Sequence, residues 1–397
     1  MISVDEAALR IASAFAPLES ETIPIGKACG RVLAADPIAA LDQPPSPVSS
    51  MDGYAVRAND VTAPATLRVI GAAPAGHPFA GQIGNGEAVR IFTGGVVPNG
   101  ADAIVIQEDA ELNDNIVLLK VAAVPGRHIR AAGLDFKRGA ALAAKGRRLT
   151  ARDLSLLAAG DVVHVEVCRR PRIAFAATGD ELSRPGETRK DGGIVASSGY
   201  GLAAMIENWG GEPHDLGILP DTAEALAGLA SKAAGADAIV TLGGASVGDH
   251  DLVKSALAPH GFVLDFWRIA MRPGKPLIFG RLGNTPLLGL PGNPVSTLVC
   301  AILFLRPAIA AMLGTDARTP LRIARLAQDL AANDTRQDYI RARLELRDGE
   351  LWAAPFAIQD SSMLGVFAAA DALIVRAPNA AAAKIGDKVD ILVLDDR

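Results

Sequence analysis

From Arg172 onward the chain alternates short, almost wholly apolar runs with helix-length segments, and few architectures accommodate that alternation. Ile173–Ala177, Ala238–Leu242, Leu277–Phe279 and Leu287–Leu290 have strand lengths and lack a polar face, as strands covered on both sides do. Gly199–Trp209, Ala223–Ala234, Leu252–Ala258 and the segment from Val295 read as helices between and after them. The pattern predicts a three-layer αβα domain over 171–315, built on a mostly parallel sheet whose ligands sit at the strand ends.

A chain of 397 residues exceeds what one core usually serves, since single cores seldom grow past roughly 250 residues. Ser3–Glu6 reads as a capping box ahead of an N-terminal helix, and Thr150–Ala159 reads as another helix. Gln43–Pro47 carries three prolines and must be extended, so it marks a passage between domains. Beyond it Thr66–Ile70, Ala88–Thr93 and Ala103–Gln107 are short β-rich runs between Gly and Pro turns. After Gly314 strands return, with Asp348-Gly349 as the turn between Tyr339–Leu346 and Leu351–Ala354. The expected division is a discontinuous helical domain (1–47 and 140–170), an inserted β domain (48–139), the α/β domain (171–315) and a C-terminal β domain (316–397).

The composition is that of a globular α/β protein, half hydrophobic and 21% charged. A net charge of −5 offers no broad basic surface, so nucleic acid is a poor partner and an anionic ligand needs a local basic pocket. Cys29, Cys168 and Cys300 are far apart and lack metal-ligand spacing, which points to buried, reduced thiols and a cytoplasmic protein. The acidic start Met1–Glu6 is unlike a secretory leader. Val295–Leu313 is long enough to raise a membrane span, but Arg306 and Pro307 interrupt it, and a core helix is expected instead. His77, His164, His214 and His260 are scattered as structural histidines are. Trp209, Trp267 and Trp352 read as core or rim, with Trp267 near enough to the following basic loop to flank a ligand.

The loop after Ala238–Leu242 matches two motifs. Gly244-Ala-Ser-Val-Gly248 has the form of a Ser-hydrolase elbow, but His250 and His260 lie too close to supply the usual triad. Gly243–Gly248 has the spacing of a phosphate loop, but Asp249-His250 replace its Lys and Ser/Thr. What stands is a Gly-rich anion loop or a plain tight turn. Three further loops bear on that choice. Thr178-Gly-Asp-Glu-Leu182 offers adjacent carboxylates suited to magnesium. Met271-Arg-Pro-Gly-Lys-Pro276 offers two cations on a stiff backbone, and Pro291-Gly-Asn-Pro-Val-Ser296 opens a helix with little side-chain bulk.

Together these loops resemble those of the molybdopterin molybdenumtransferase family, the MoeA type related to the gephyrin E domain. Ser50–Ala55, Phe92–Gly95 with Gly100–Asp102, and His128–Arg130 through Gly133–Asp135 are similar to its N-terminal motifs, so the resemblance spans nearly the whole chain. The chain departs from the family pattern at Leu242, Arg272, Ala196–Ser198 and Asp360.

The resemblance implies insertion of molybdate into adenylylated molybdopterin, with AMP released and Mg2+ required, in the last step of molybdenum-cofactor synthesis. It implies a homodimer with sites shared between subunits, and transient contact with a molybdopterin adenylyltransferase and molybdoenzyme chaperones. Asp52, Thr93, Asp135, Glu181 and Asp251 are the implied catalytic residues, with Asp180 and Glu181 holding the metal. Thr178, Gly179, Asp180, Gly243, Gly244, Ser246, Gly248, Pro291, Gly292, Asn293 and Pro294 would bind substrate. Arg272, Lys275, Arg341 and Ser361 would, with Ser246, form an oxyanion pocket. Adenylyl transfer to molybdopterin and a non-catalytic pterin-binding scaffold are the rival readings.

Overall fold

The computed structural model describes residues 1–243, 256–316 and 320–394. It contains two compact units, one formed by Met1–Glu21 with Cys168–Arg397 and the other by Thr22–Val167. By contacts, therefore, the N-terminal helix groups with the α/β part of the chain and not with the 140–170 segment.

The first unit holds a six-stranded sheet in the order Glu212–Leu219, Arg172–Thr178, Ala238–Leu242, Thr285–Leu290, Ile278–Leu282, Phe262–Trp267. The first four strands are parallel and the last two antiparallel to their neighbours. The apolar runs are explained by cover on both faces. Ala174 and Ala176 face a core with Leu226, Leu229 and Ile239, whereas Phe175 points the other way, against Gly199 of the helix Ser198–Asn208. The strands Glu212–Leu219 and Phe262–Trp267 are the sheet's two edges. As an edge, Glu212–Leu219 carries Pro, His, Asp and Gly in place of the apolar signature of the inner strands, whereas Phe262–Trp267 is apolar except for Asp265. Trp267 packs on this core with the Arg268 guanidinium 3.6 Å from its ring centroid, which is the rim role and not a ligand-flanking one.

The helix after Pro291 is continuous from Pro294 to Met312, running through the Arg306-Pro307 that interrupts its apolar sequence. Ala301–Leu305 winds as a π-helical turn just before Pro307, a local rearrangement of the ladder next to a residue with no N–H to donate. The segment is long and apolar enough to cross a membrane, but 72% of it is buried within the protein, as in a core helix. At the N-terminus Ser3 caps Val4–Ser13 by accepting from the Glu6 amide. The expected capping box is only half formed, because the Glu6 carboxylate pairs with Arg10 at 2.6 Å.

Five strands, Arg322–Leu326, Gln337–Arg347, Glu350–Pro355, Ala372–Arg376 and Lys388–Val393, close into a ring around Leu326, Ala342, Ile374 and Ile391. Asp348 and Gly349, at φ 48° and 80°, make the tight turn expected between its first hairpin strands. Met271–Arg272 leaves the α/β sheet to pair in parallel with Gln337 and Asp338, which carries the basic loop into this second sheet.

The chain leaves the first unit after Glu21 and returns at Cys168. The Arg169 amide donates to the Glu19 carbonyl at 3.0 Å, and the Arg169 side chain bridges Glu19 and Asp237 at 2.6 and 2.7 Å.

The second unit has its own six-stranded sheet, ordered Ala103–Ile106, Gly53–Val56, Glu87–Ile91, Ala65–Ala73, Ile116–Leu119, Ala110–Asn113. Tyr54, Val56, Leu67 and Val117 pack on one side, and Ala55, Val89, Ile91 and Ile104 on the other. The helix Ala151–Ala159, with a complete Thr150/Asp153 capping box, packs through Leu157 on Ala28, Leu33 and Val165. Cys168 and Cys300 are buried, but Cys29 is exposed, correcting the expectation that all three thiols are interior.

Candidate functional site

The parallel strands deliver their C-terminal ends to one place. Gly243 has φ 101°, and a Cβ there would stand 2.8 Å from the Thr178 carbonyl oxygen and 3.0 Å from its hydroxyl. Gly292 packs beside Gly243, its would-be Cβ in ordinary contact 3.6 Å from the Gly243 Cα. The Gly243 amide donates to Leu290 and the Gly179 amide to Leu219, at 3.0 and 3.3 Å. Glycine is thus required at 243, where a side chain would collide with the Thr178 backbone and force the strand ends apart. The Thr178 hydroxyl is buried there and has no hydrogen-bond partner among the described residues.

The chain then makes an excursion and returns. Leu182–Ser183 pairs with Ile194–Val195, the Ile194 amide donates to the Glu181 carbonyl at 2.8 Å, and the Ala196 amide to Ser183 at 2.9 Å. This brings Ala196–Ser198 back beside the strand ends, where the helix Ser198–Asn208 begins without a side-chain cap. A pocket of about 320 Å3 opens there, lined by Ala177, Leu182, Ser197, Ser198, Leu242, Gly292, Asn293, Pro294 and Ser362. Ala196–Ser198 was not among the expected site residues, since it departs from the family's acidic pattern. Its position before a helix that follows a strand was the available signal. Asp180 and Glu181 stand exposed at the mouth of the excursion, with an Asp180 oxygen 3.4 Å from the Asp221 amide. Among the described residues no three His, Cys, Asp or Glu side chains gather as a metal cluster.

Ser362 lines this pocket, and its neighbour Ser361 is tied to the residues that open the helix after Pro291. The Ser361 hydroxyl accepts from Asn293 at 2.8 Å, and the Ser361 carbonyl accepts the Val295 amide at 3.1 Å. Arg341 anchors the same turn. It is 1% exposed, its amide and Nε donate to Gln359 at 3.0 and 2.9 Å, and Nη1 donates to the Asp360 carbonyl at 2.8 Å. Burial lowers its pKa from the usual range, partly offset by the Asp360 charge. The Asp360 carboxylate itself turns back to the Ser362 hydroxyl and amide, at 2.6 and 2.8 Å, which hold it below its ordinary pKa. Arg341 is therefore a buried brace for the turn at 359–361, in contrast to the expected direct anion ligand.

The basic loop meets the same helix. Gly274 lies against the buried Cys300 of Pro294–Cys300, with a would-be Cβ 2.4 Å from the thiol sulfur. Arg272, expected to face an oxyanion, pairs instead with Asp338 and, at 3.4 Å, with Asp334. The Asp338 bond chiefly holds the guanidinium above its usual pKa, so most of its charge is answered within the protein. Lys275 has no carboxylate partner among the described residues.

In the second unit Asp52 accepts both the amide and the hydroxyl of Thr93, at 2.7 and 2.9 Å. The Thr93 amide chiefly, then its hydroxyl and the nearby Arg90, hold this carboxyl below its ordinary pKa. Arg90 lies over the rings of Tyr54 and Phe92, at 5.0 and 5.1 Å, and donates to the Gly53 carbonyl and to Gln107. It thereby ties the two loops that carry Asp52 and Thr93, a role sequence reasoning missed because Gly53, Tyr54 and Gln107 are far from Arg90 along the chain. Asp135 is exposed in the same unit, its amide donating to Gln43 at 2.9 Å. Gly244, Ser246, Gly248 and Asp251 lie outside the described residues.

Comparisons with known proteins agree along the chain. Residues 2–161 match the MoeA N-terminal region (domains I and II), 174–311 a probable molybdopterin binding domain, and 323–394 the MoeA C-terminal region (domain IV). The molybdopterin molybdenumtransferase of Haemophilus influenzae is 33% identical over 98% of both chains. That of a Nostoc species is 37% identical over 83% of this chain and 78% of the relative. A solved molybdopterin biosynthesis MoeA protein from Pyrococcus horikoshii superposes with a TM-score of 0.87 at 32% identity, covering both chains in full, and a second with 0.80 at 27%. Matched over its length by relatives at this level of identity, the chain belongs to the molybdopterin molybdenumtransferase (MoeA) family.

Proposed function

We propose that this chain is a molybdopterin molybdenumtransferase, which inserts molybdate into adenylylated molybdopterin and releases AMP as the last step of molybdenum-cofactor biosynthesis. The observation that carries the reading is the hydroxyl-bearing pocket lined by Ser197, Ser198, Gly292 and Asn293, beside the junction of Thr178 and Gly243, in a chain whose end-to-end relatives bear that name. The full-length match also favours this reading over adenylyl transfer or a scaffold.

The chain's own groups divide the work by charge. Thr178, Ser197, Ser198 and the amides opening Ser198–Asn208 are donors for the substrate's phosphates. Lys275, without a carboxylate partner among the described residues, is the cation for molybdate, a doubly charged tetrahedral oxyanion, while Arg341 fixes the turn that holds Ser361 and Asn293 in place. Water or a molybdate oxygen attacks the adenylate phosphorus, the bond to the bridging oxygen breaks and AMP leaves. As the two Mo–S bonds form, the dithiolene thiols give up their protons and one molybdate oxygen departs, as water or, where it was the attacking atom, within AMP. Asp180 and Glu181 are exposed hard-oxygen donors, which suits a magnesium ion held by one or two protein carboxylates plus phosphate and water. Bound there, it would spread the charge that develops on the phosphate. Gly244, Ser246, Gly248 and Asp251 enter the site on family resemblance alone.

The proposal includes a cytoplasmic homodimer in which Asp52, Thr93 and Asp135 of one subunit complete the partner's site, and domain boundaries at 47/48, 139/140, 170/171 and 315/316, with Met1–Glu21 grouped with the α/β part. Asp52, kept ionised by Thr93 in a unit of its own, supports the shared site. The reaction is tested by mixing purified protein with adenylylated molybdopterin, molybdate and magnesium. AMP is expected only with all components, and its absence refutes the assignment. Heterodimers of Asp52→Ala and Glu181→Ala subunits should recover activity that neither homodimer has. No recovery in verified heterodimers would mean a site built within one chain.

A further inference from the structure

A second cavity, of about 140 Å3, adjoins the pocket at the strand ends and shares Ala177, Ala196 and Gly199 with it. It lies between the helix Ser198–Asn208 and the edge strand Glu212–Leu219, with Ala177, Gly199 and Ala203 leaving room between them. The edge strand is bulged here. Its register on Arg172–Thr178 jumps from Phe175↔Asp215 to Ala177↔Ile218, so that Leu216 and Gly217 together oppose Ala176. Bulges of this kind re-aim side chains beside binding sites.

Three chemically distinct groups line the cavity. Tyr200 is 61% exposed and presents a ring at its edge. Asp215 accepts the Gly217 amide through one oxygen at 2.8 Å, and its second oxygen has no partner among the described residues. The Arg184 guanidinium lies over Gly217, 3.1 Å from where a Cβ would be, and has no carboxylate partner among the described residues. A carboxylate acceptor, a guanidinium donor and an aromatic face are together complementary to a planar heterocycle with adjacent N–H donors and a carbonyl.

Resting on the proposed reaction, we propose that this cavity seats the pterin ring of the substrate, with Asp215 and Arg184 reading its aminopyrimidinone edge while the phosphates occupy the neighbouring pocket. The aminopyrimidinone offers an amine N–H and a ring N–H to Asp215, and its carbonyl to Arg184. Adenine offers this pair one donor and one ring acceptor, and makes fewer bonds. Tyr200 covers the ring face.

The test titrates the full chain with 6-carboxypterin, followed by its fluorescence, and separately with AMP. Asp215→Asn keeps an acceptor for the Gly217 amide while removing the charge and turning the second oxygen into an NH2 donor, and Tyr200→Ala removes an exposed ring. Each should weaken 6-carboxypterin binding tenfold or more and change AMP binding less than twofold, with unfolding midpoints unmoved. Tyr200→Phe should restore binding. Loss of AMP binding instead would give the cavity to adenine and overturn the proposal, as would unchanged pterin binding or a wild-type chain that binds no 6-carboxypterin at millimolar concentration. If wild-type protein releases no AMP yet these variants lose the pterin, the reaction fails and the cavity stands. If AMP release proceeds and Asp215→Asn leaves the KM for adenylylated molybdopterin unchanged, the cavity assignment alone fails.

Discussion

Gly274 occupies a backbone conformation of φ 108° under the buried thiol of Cys300, and Gly274→Ala tests whether that contact holds the basic loop in place. The substitution meets two separate costs. An L-residue in this region is strained by roughly 1–3 kcal/mol. The new methyl would stand 2.4 Å from the Cys300 sulfur and 3.1 Å from the Met271 Cε, and forcing it into a packed interior costs a further ~1–3 kcal/mol. The total, roughly 2–6 kcal/mol, is a large share of the roughly 5–15 kcal/mol that stabilises a typical protein. Cys300→Ala makes room for the methyl. The double variant should therefore recover the steric part and keep the backbone part, a coupling of about 1–3 kcal/mol in a double-mutant cycle. Urea unfolding of the four proteins measures it, and the molybdate concentration for half-maximal AMP release should rise in Gly274→Ala as Lys275 is displaced. A loss below about 1 kcal/mol for Gly274→Ala, or strict additivity with Cys300→Ala, would refute the reasoning.

Lys275→Ala should raise the molybdate requirement tenfold or more while adenylylated pterin still binds, and an unchanged requirement would make Lys275 a bystander. Glu181→Ala should sharply reduce AMP release without moving the melting temperature, and normal turnover at saturating magnesium would remove Glu181 from the site. Burial raises the Asp153 pKa, but bonds from Thr150 and Arg147 outweigh it and hold the carboxyl at about 2, against an ordinary 3.8. Its stabilisation is thus present above pH 3.8 and lost as pH falls through about 2. Asp153→Asn should cost about 2 kcal/mol at neutral pH, with the deficit shrinking as unfolding is measured from pH 4 downward. Arg90→Gln removes a charge that helps keep Asp52 ionised, so the acid limb of the kcat/KM profile should move to higher pH. A lower rate with an unmoved limb would limit Arg90 to holding the loops.

What was legible in the sequence was whatever local pattern and backbone geometry decide. The inner strands of the α/β sheet announce themselves because both faces are buried, and the glycine at 243 because strand ends meet there. The Asp348-Gly349 turn requires left-handed residues and names them. The edge strand Glu212–Leu219 was not legible, since its Pro, His, Asp and Gly read as loop, and Phe262–Trp267 was passed over although it is apolar but for Asp265. The fates of Arg272 and Arg341 were hidden for another reason. Each is settled by partners far along the chain, Asp338 and Asp334 for one and Gln359 and Asp360 for the other, and a motif states a charge but not who answers it. Ala196–Ser198 lines the pocket with hydroxyls and backbone where family resemblance led one to look for an acid.

The hydrogen bond from Arg169 to Glu19 also bears on how such a chain came to be assembled. The two points where the polypeptide departs from the first unit and rejoins it are already neighbours, so the host's strands need not shift to admit whatever is spliced between them. An insertion at this doorway could arrive in one genetic event and be judged on its own merits. Lineages could then exchange or trim the guest while the host kept its register, provided that Glu19, Arg169 and Asp237 went on holding the door frame.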